Sequence, residues 1–372
     1  MNKKKILTII LIILFIGFVA ERINTNKTDV YEEQNKSSIK KNKNLLSMNL
    51  EQTAGAGDYK TVTQSKWPTE GYKFNTELSR CENGSEISWD DTKKAVIMQG
   101  NVSDKCYVYF DLIPSMTLAE YVISQYTGVQ GENGIYYHNS SLENGAGDNS
   151  YRYAGASNNV NNYICLGSDA TTCPDANLFR IIGVFGDQTK VIRAKSVGDQ
   201  KWNTSKANAW SSSSLNTYLN GEYLTNLGTL ADKIATTTWK VGGGSSTYLY
   251  DVPTTAYQYE VGSSASTTTY EAKIGLMYAS DYGFAASSSA WTTKLSSYSS
   301  NTSKNWLYLG SYEWTISRYS GGTTGAFVVG GSGGVGSDAV TSSCAARPSF
   351  NLESSVKYVS GSGTIENPIR IN

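Results

Sequence analysis

Four of the five cysteines stand in two pairs whose spacing suits disulfide bonds. Cys81 and Cys106 enclose a stretch with strand-like patches, whereas Cys165 and Cys173 bracket a short polar loop. A small β domain has a marginal core, and a bridge closing a loop of about 25 residues adds roughly 3 kcal/mol in the chain-entropy model. Disulfides are typical of proteins that fold outside the cytosol. We therefore expect the bridges Cys81–Cys106 and Cys165–Cys173.

The fifth cysteine, Cys344, and the only histidine, His138, are the remaining candidates for nucleophilic chemistry. Cys344 would need a nearby base or cation such as Arg347, and a small buried thiol in a strand is the commoner use, which we expect. A Ser/His/Asp or Cys/His centre would have to be built on His138, and a multi-histidine metal site is excluded. The sequence contains no C-x-x-C pair and no twelve-residue calcium loop. It therefore designates no catalytic residue, no metal ligand and no cofactor, although Asp/Asn-rich loops leave calcium open.

Aromatic side chains indicate binding rather than catalysis. The chain has 26 tyrosines and 8 tryptophans, and Tyr, Trp, Ser, Gly and Asn together give rigid contact area with adaptable hydrogen bonding. One stretch could project several rings to a common rim. The candidate ligand-binding residues there are Trp306, Tyr308, Tyr312, Trp314, Arg318 and Tyr319. The alternative for each is packing, which is favoured for Trp306 and Trp314, and Arg347 is expected in a structural ion pair or in carbonyl contacts.

Charges narrow the classes of partner. The 32 Lys+Arg residues balance 32 Asp+Glu residues, so the chain lacks the basic footprint that a nucleic-acid-binding protein needs. Asp281, Glu313 and Asp338 are carboxylates that a hydrolase of envelope polymers could pair. Acidic residues are nevertheless scattered along the whole chain, and no spacing singles these three out.

The N-terminus has the layout of an export signal. Three lysines precede an uncharged run at residues 6–20, which is short for a membrane span but right for a signal h-region. Residues 1–20 are therefore predicted to be a cleaved signal peptide or a retained signal anchor, and 21–50 a flexible polar tether. In either case we expect the rest of the chain at the extracellular face of the membrane or in the medium. If the segment is not cleaved, residues 6–20 contact the membrane.

Two folded regions are expected beyond the tether, and their patterns indicate an α+β fold. The first is a small disulfide-bridged β domain over residues 51–113, and the second a larger α+β domain over 114–372. A capping box at residues 117–120 predicts a helix to about Tyr126. Further predicted helices are 215–227, capped by Ser214, and 231–239. Predicted strands are 71–74, 95–98, 106–110, 178–185, 190–194, 247–250, 274–278, 313–318, 326–329, 347–352 and 356–359.

Residues 178–372 resemble a known family. The residues that carry the resemblance are Trp210 with 215–220, 274–277 with 280–282, 305–307, 346–352, and the closing 361–364 with 366–368. Together they resemble an uncharacterised C-terminal domain of exported proteins from low-GC Gram-positive bacteria and phages. More remotely, residues 313–315, 329–332 and the Arg347 segment are similar to C-type-lectin-like and formylglycine-generating-enzyme-like domains. The resemblance implies a ligand-binding scaffold, without the calcium-binding triplets or the paired cysteines of those proteins.

These observations predict an exported cell-surface ligand-binding or adhesion protein without catalytic activity. Its expected partner is an extracellular glycan or protein, and nucleic acid is not expected. Two alternatives stay open: a structural envelope or pilus-like component, and an envelope-polymer hydrolase that uses carboxylates.

Overall fold

The computed structural model describes residues 10–12, 46–63, 66–68, 71–101, 103–113 and 115–372. By contacts, the chain divides into two compact units, Met1–Ser115 and Met116–Asn372. Of the predicted signal segment, Ile10–Ile12 forms a strand; the rest of that segment and residues 21–45 of the tether lie outside the described residues. Among the helices in the described ranges, none is both long and apolar enough to cross a membrane.

The smaller unit is built from β-strands. They are β1 (Ile10–Ile12), β2 (Leu46–Glu51), β3 (Tyr59–Val62), β4 (Tyr72–Phe74), β5 (Arg80–Cys81), β6 (Glu86–Asp90), β7 (Ala95–Gln99) and β8 (Cys106–Leu112). One sheet has the order β1-β7-β6, and the other has the order β3-β2-β8-β4, with β5 also paired to β8. The β2–β8 pair is parallel.

Strand β2 corrects the predicted tether, since residues 46–50 belong to the sheet. Leu46, Met48 and Leu50 alternate with polar residues, which is the period of a strand with one buried face. Met48 and Leu50 are buried beside Val108 and Phe110 of β8. The polar composition of the preceding residues conceals this short pattern.

The predicted disulfide of the smaller unit is confirmed. Cys81 and Cys106 face each other in the β5–β8 pair and are bonded. Trp67, Phe74 and Phe110 fill the small core of this unit, with Trp89 against them. The bridge ties the short β5 to the central strand of the sheet.

The larger unit mixes helices with several sheets, so the chain has an α+β fold. Its strands are β9 (Ile135–His138), β10 (Ser150–Tyr153), β11 (Tyr163–Cys165), β12 (Leu178–Phe185), β13 (Gln188–Arg193), β14 (Asp199–Lys201), β15 (Thr237–Lys240), β16 (Thr269–Ala272), β17 (Ile274–Gly275), β18 (Glu313–Arg318), β19 (Gly325–Val329), β20 (Val335–Ala339), β21 (Ser343–Ala345), β22 (Ser349–Leu352), β23 (Tyr358–Ser360) and β24 (Arg370–Ile371). Its α-helices are α1 (Leu118–Ser124), α2 (Ser214–Tyr218), α3 (Leu224–Asn226), α4 (Ser246–Leu249), α5 (Pro253–Glu260) and α6 (Ala279–Phe284). Single turns of 3-10 helix occur at Glu132–Gly134, Trp210–Ser212 and Ser288–Ala290, and longer ones at Gly228–Lys233 and Leu295–Lys304.

Two sheets form the centre of this unit. The first has the order β17-β22-β13-β12-β10-β9, with β11 also on β12, and the second has the order β14-β21-β18-β19-β20. The predicted hairpin is β12–β13, and it is central as expected because both strands are almost wholly buried. A two-residue turn at Gly186 and Asp187 joins them, with Gly186 at φ 64°.

The helices follow local signals in part. At α1 the capping box is confirmed, because Thr117 and Glu120 each accept the other's backbone N–H. The predicted helix 215–227 is present from Ser214 to Asn226, but a π-helical turn at Leu219–Tyr223 divides it into α2 and α3. Its cap is Ser213 rather than Ser214, since the Ser213 hydroxyl accepts the N–H of Asn216.

Two predicted elements are wrong in type. In place of a helix at residues 231–239, Gly228–Lys233 is a 3-10 helix and Thr237–Lys240 is strand β15, paired with β16. In place of a strand at residues 247–250, Ser246–Leu249 forms α4, which buries Leu249. In both places tertiary contacts outweigh the local propensity of Ala, Thr and Tyr.

The second predicted disulfide, Cys165–Cys173, is also confirmed. Arg370 holds the loop that this bridge closes, because its guanidinium donates to the carbonyls of Ser168, Ala170 and Thr171. Two disulfides in one chain are typical of an oxidising, extracellular environment.

Candidate functional site

Two of the six residues predicted to bind a ligand are buried in the core. Trp306 is 3% exposed and Trp314 is 0% exposed. The indole N–H of Trp306 donates to the Tyr153 carbonyl at 2.8 Å, and that of Trp314 to the Gln200 carbonyl at 2.8 Å. Both tryptophans therefore leave the set of candidate ligand-binding residues, and both show the core packing that the sequence favours for them.

The other four candidates lie at opposite ends of strand β18. Tyr308 and Tyr312 precede the strand, and the Tyr312 ring is 57% exposed beside Gly330 and Gly331. Arg318 is the last residue of the strand, and Tyr319 follows it. The structure therefore does not bring the six residues to one rim.

A pocket of about 330 Å³ opens at the Arg318 end. The backbone around Gly243 and the side chain of Arg318 form one part of it, and the rings of Tyr248 and Tyr259 another. The residues that line the pocket are Gly242, Gly243, Gly244, Ser245, Tyr248, Tyr259, Ser264, Ser266, Arg318 and Ser320. We call this the Arg318 pocket.

The glycine run at residues 242–244 is required by its close approach to β18. Gly243 has φ 61°, and a Cβ there would collide with the carbonyl oxygen of Arg318. The N–H of Gly244 donates to that same oxygen at 3.3 Å, and the N–H of Ser320 donates to the Gly244 carbonyl at 2.8 Å. The loop therefore lies against the end of the strand as an added short bridge.

Arg318 is held by one of its nitrogens and leaves the other two available. Its Nε donates to the Gly242 carbonyl at 2.9 Å. Within the described residues, neither Nη1 nor Nη2 of Arg318 has an acceptor, and the side chain takes part in no ion pair. The guanidinium edge with these two nitrogens is the part that a ligand could engage.

Two aromatic rings line the same pocket. Tyr248 of α4 and Tyr259 of α5 are stacked, with ring centroids 3.5 Å apart and planes 5° from parallel. Both residues are half-buried. Tyr319, by contrast, packs edge-on against Phe327 at the margin of the hydrophobic core.

Sequence reasoning includes Arg318 but misses the rest of the pocket. It places Tyr248 in a strand, and no local pattern associates that residue with Tyr259, eleven positions on. The Gly-Gly-Gly-Ser-Ser run at 242–246 is a usable signal, because glycines mark places where backbones approach closely.

The carboxylates considered for hydrolysis serve other contacts. Asp281 is buried, with Lys190 at 2.5 Å and Arg152 at 3.7 Å. Glu313 is buried against Arg347, whose Nε and Nη2 lie at 2.6 and 2.8 Å from its two oxygens. Asp338 is half-buried and accepts the Ser342 hydroxyl.

The Asp281 cluster extends to a second acid. Arg152 also donates to Asp148 at 2.5 Å and to Ser150 at 2.7 Å. Burial raises the pKa of Asp148, but the charge of Arg152 and hydrogen bonds from Ser150 outweigh it and bring the value to about 2. Asp148 is therefore ionised at neutral pH and holds Arg152 in place rather than donating a proton.

Cys344 is the free thiol that the sequence predicts in a strand, and it is buried in β21. Burial, with the charges of Asp338 and Asp199 added, raises its pKa to about 11. The thiol is therefore protonated at neutral pH and is a poor nucleophile. In the described part of the chain, no group of three or more His, Cys, Asp or Glu side chains is placed to hold a metal ion.

Comparisons with known proteins add no assignment. No protein-family model, no curated protein and no solved structure matches this chain.

Proposed function

We propose that this is an exported, extracellular ligand-binding protein and that the Arg318 pocket is its binding site. The observation that carries the proposal is the free guanidinium edge of Arg318 in one pocket with the stacked rings of Tyr248 and Tyr259. A pocket that combines a held cation with aromatic rings suits binding, because it offers hydrogen bonds and contact area at low entropic cost.

Export is supported by two observations. The apolar run at 6–20 follows three lysines, and the two disulfides suit an oxidising compartment. We propose that the body is displayed at the extracellular face of the membrane or secreted, and that residues 178–372 form a C-type-lectin-like domain of the exported family that the sequence resembles.

The carboxylates favour binding over hydrolysis. Asp281 and Glu313 are each buried in an ion pair with a basic side chain, whereas glycoside hydrolysis needs two carboxyl groups facing the same substrate bond. The proposed activity is therefore recognition without turnover.

The test is a glycan and host-protein binding array with the oxidised full-length protein, run with and without calcium. We expect a saturable hit that Arg318→Gln reduces at least tenfold and that Tyr259→Ala also weakens. Lys195→Gln removes one exposed cation elsewhere in the same unit, and Tyr312→Ala removes an exposed ring at the far end of β18; both variants should bind as the parent does.

Two results would overturn the proposal. One is a saturable hit that Tyr312→Ala abolishes while Arg318→Gln leaves it intact, which would move the site to the other end of β18. The other is a folded protein that binds nothing on either array and is recovered as multimers from gentle extracts, which would favour the structural envelope component.

A further inference from the structure

Several hydrogen-bond donors of the residues that line the Arg318 pocket have no acceptor within the described residues. Arg318 contributes Nη1 and Nη2, and the backbone amides of Gly242 and Gly243 have no acceptor within the described residues, although both glycines are buried. Buried backbone N–H groups are paired in more than about nine cases in ten. Unpaired donors in a pocket wall therefore point to an acceptor-rich ligand group.

The pocket also carries a positive charge, which favours an anionic ligand. Arg318 is the only charged residue among those that line it in the described part of the chain. The nearest acid in sequence to the tyrosine pair is Glu260, and its carboxylate is occupied elsewhere. It accepts the N–H groups of Ala279 and Ser280 at 3.0 and 2.8 Å and the Ser317 hydroxyl.

We propose that the Arg318 pocket recognises an acidic saccharide, with the carboxylate on the Arg318 edge and the sugar ring on the tyrosine pair. Nη1 and Nη2 present the fork that binds a carboxylate through both oxygens. The proposal rests on the proposed function, because it names the ligand class of the same site.

A sugar residue fits better than a peptide for two reasons. The volume of about 330 Å³ lies at the small end of ligand pockets, which hold one compact group rather than an extended chain. The remaining wall is made of serine residues, namely Ser245, Ser264, Ser266 and Ser320. Their hydroxyls both donate and accept, as the hydroxyls of a sugar require.

The experiment compares an acidic disaccharide with two uncharged counterparts and with a small carboxylate. The oxidised full-length protein is titrated by calorimetry with a glucuronate-terminated disaccharide, its methyl ester and its glucose-terminated counterpart, and with acetate alone. We expect the acid to bind at least tenfold more tightly than the ester or the neutral sugar, and acetate at least tenfold more weakly than the acid. Raising the salt concentration should reduce only the preference for the acid.

Variants test whether Arg318 causes the preference for the acidic disaccharide. Arg318→Gln should bring the acid down to the affinity of the ester, Arg318→Lys should retain part of the preference because lysine keeps charge without the fork, and Lys195→Gln should change nothing. The unfolding transition of Arg318→Gln is measured alongside, so a misfolded variant is recognised directly.

The outcomes separate this inference from the proposed function. Equal binding of acid and ester with loss on Tyr259→Ala overturns the acidic ligand but supports a binding pocket. Acetate binding as tightly as the disaccharide overturns the saccharide. No binding of any of these probes overturns the inference, whereas the proposed function is decided separately, by the two array results described above.

Discussion

Arg347 and Glu313 form an ion pair in which both side chains are almost fully removed from water, at 3% and 1% exposure. Burial raises the pKa of Glu313, and the charge and hydrogen bonds of Arg347 oppose that rise. Arg347 also donates to the Leu307 carbonyl. The sequence prediction of a structural ion pair or carbonyl contacts for Arg347 is therefore confirmed in both respects.

Breaking this pair should be costly. Glu313→Gln keeps the shape but leaves the guanidinium charge buried without a partner, so we expect the free energy of unfolding to fall by about 3–5 kcal/mol. Urea denaturation of the oxidised protein measures it. The matched control is Asp175→Asn, which breaks an exposed pair with Lys195 and should cost less than about 1 kcal/mol. Equal losses in the two variants would contradict this account.

His138 is fully buried and is held as a neutral base. Its Nδ1 accepts the N–H of Ala146 at 3.0 Å, its Nε2 has no partner within the described residues, and its ring packs against Phe284 and Trp291. Burial first, and the positive charge of Arg152 second, lower its pKa well below the ordinary value, although Asp148 opposes the shift.

Stability should therefore depend on pH through this residue. A pKa lowered in the folded state means that the unfolded chain binds the proton more readily, so stability is full above pH ~6.5 and declines as the pH falls toward the folded-state pKa. We expect a slope of up to about 1.4 kcal/mol per pH unit below that point. The slope is measured by urea denaturation between about pH 7 and pH 5.

His138→Asn serves as the reference for that slope, because its side-chain oxygen can accept the Ala146 N–H and does not titrate. Since His138 is the only histidine, the difference in slope between the two proteins isolates it from the carboxyl groups. Identical pH dependence in both proteins would show that His138 is not the titrating group.

At the scale of the elements and the loops between them, two glycines differ in the space that the fold leaves for a Cβ atom. Gly243 has φ 61° and no room for a Cβ, whereas a Cβ at Gly221, in the π-helical turn after α2, would meet no atom within 4 Å. Position in the fold, rather than residue type, decides what each contributes.

Alanine should separate the two positions. Gly243→Ala is expected to lower the free energy of unfolding by about 1–3 kcal/mol through overpacking against Arg318, and to weaken ligand binding because the loop must move. Gly221→Ala is expected to raise it by roughly 0.5–1 kcal/mol, since an exposed helical glycine is entropically unfavourable. Thermal unfolding of both variants checks this, and a destabilised Gly221→Ala would contradict it.

Local signals predict some elements well and others poorly. The capping box of α1 and the β12–β13 hairpin are predictable because their signals are local: reciprocal hydrogen bonds three residues apart, and two apolar runs around a tight turn. The predictions for the residues of strand β15 and helix α4 are wrong because the residues that these elements contact are distant in the sequence. Trp239 pairs with Tyr270, and Leu249 is buried in the main core.

Across the whole molecule, the five cysteines divide into two bridges and one free thiol. Four are paired in Cys81–Cys106 and Cys165–Cys173, and Cys344 is buried and free. This arrangement suits a chain that folds under oxidising conditions and keeps its odd thiol away from exchange.

Counting thiols tests the whole arrangement. We expect a maleimide reagent to leave the native protein unlabelled at neutral pH, because Cys344 is buried with its pKa raised to about 11. Denaturation should expose one thiol, and denaturation with reduction all five. Cys344→Ser should lower both denatured counts by one. Rapid labelling of the native protein, or three thiols without reduction, would contradict these assignments.

Composition and near neighbours in the chain are enough to predict the α+β class, both disulfides, the central hairpin and the role of Arg347. They also predict an export signal at the N-terminus. They do not reveal which aromatic residues face solvent, because burial depends on what packs from other segments. Tyr248 and Tyr259 line a pocket, whereas Tyr319 packs against Phe327. The Arg318 pocket combines segments up to 78 positions apart, between Gly242 and Ser320. Only folding brings such segments together, since no local pattern encodes their meeting.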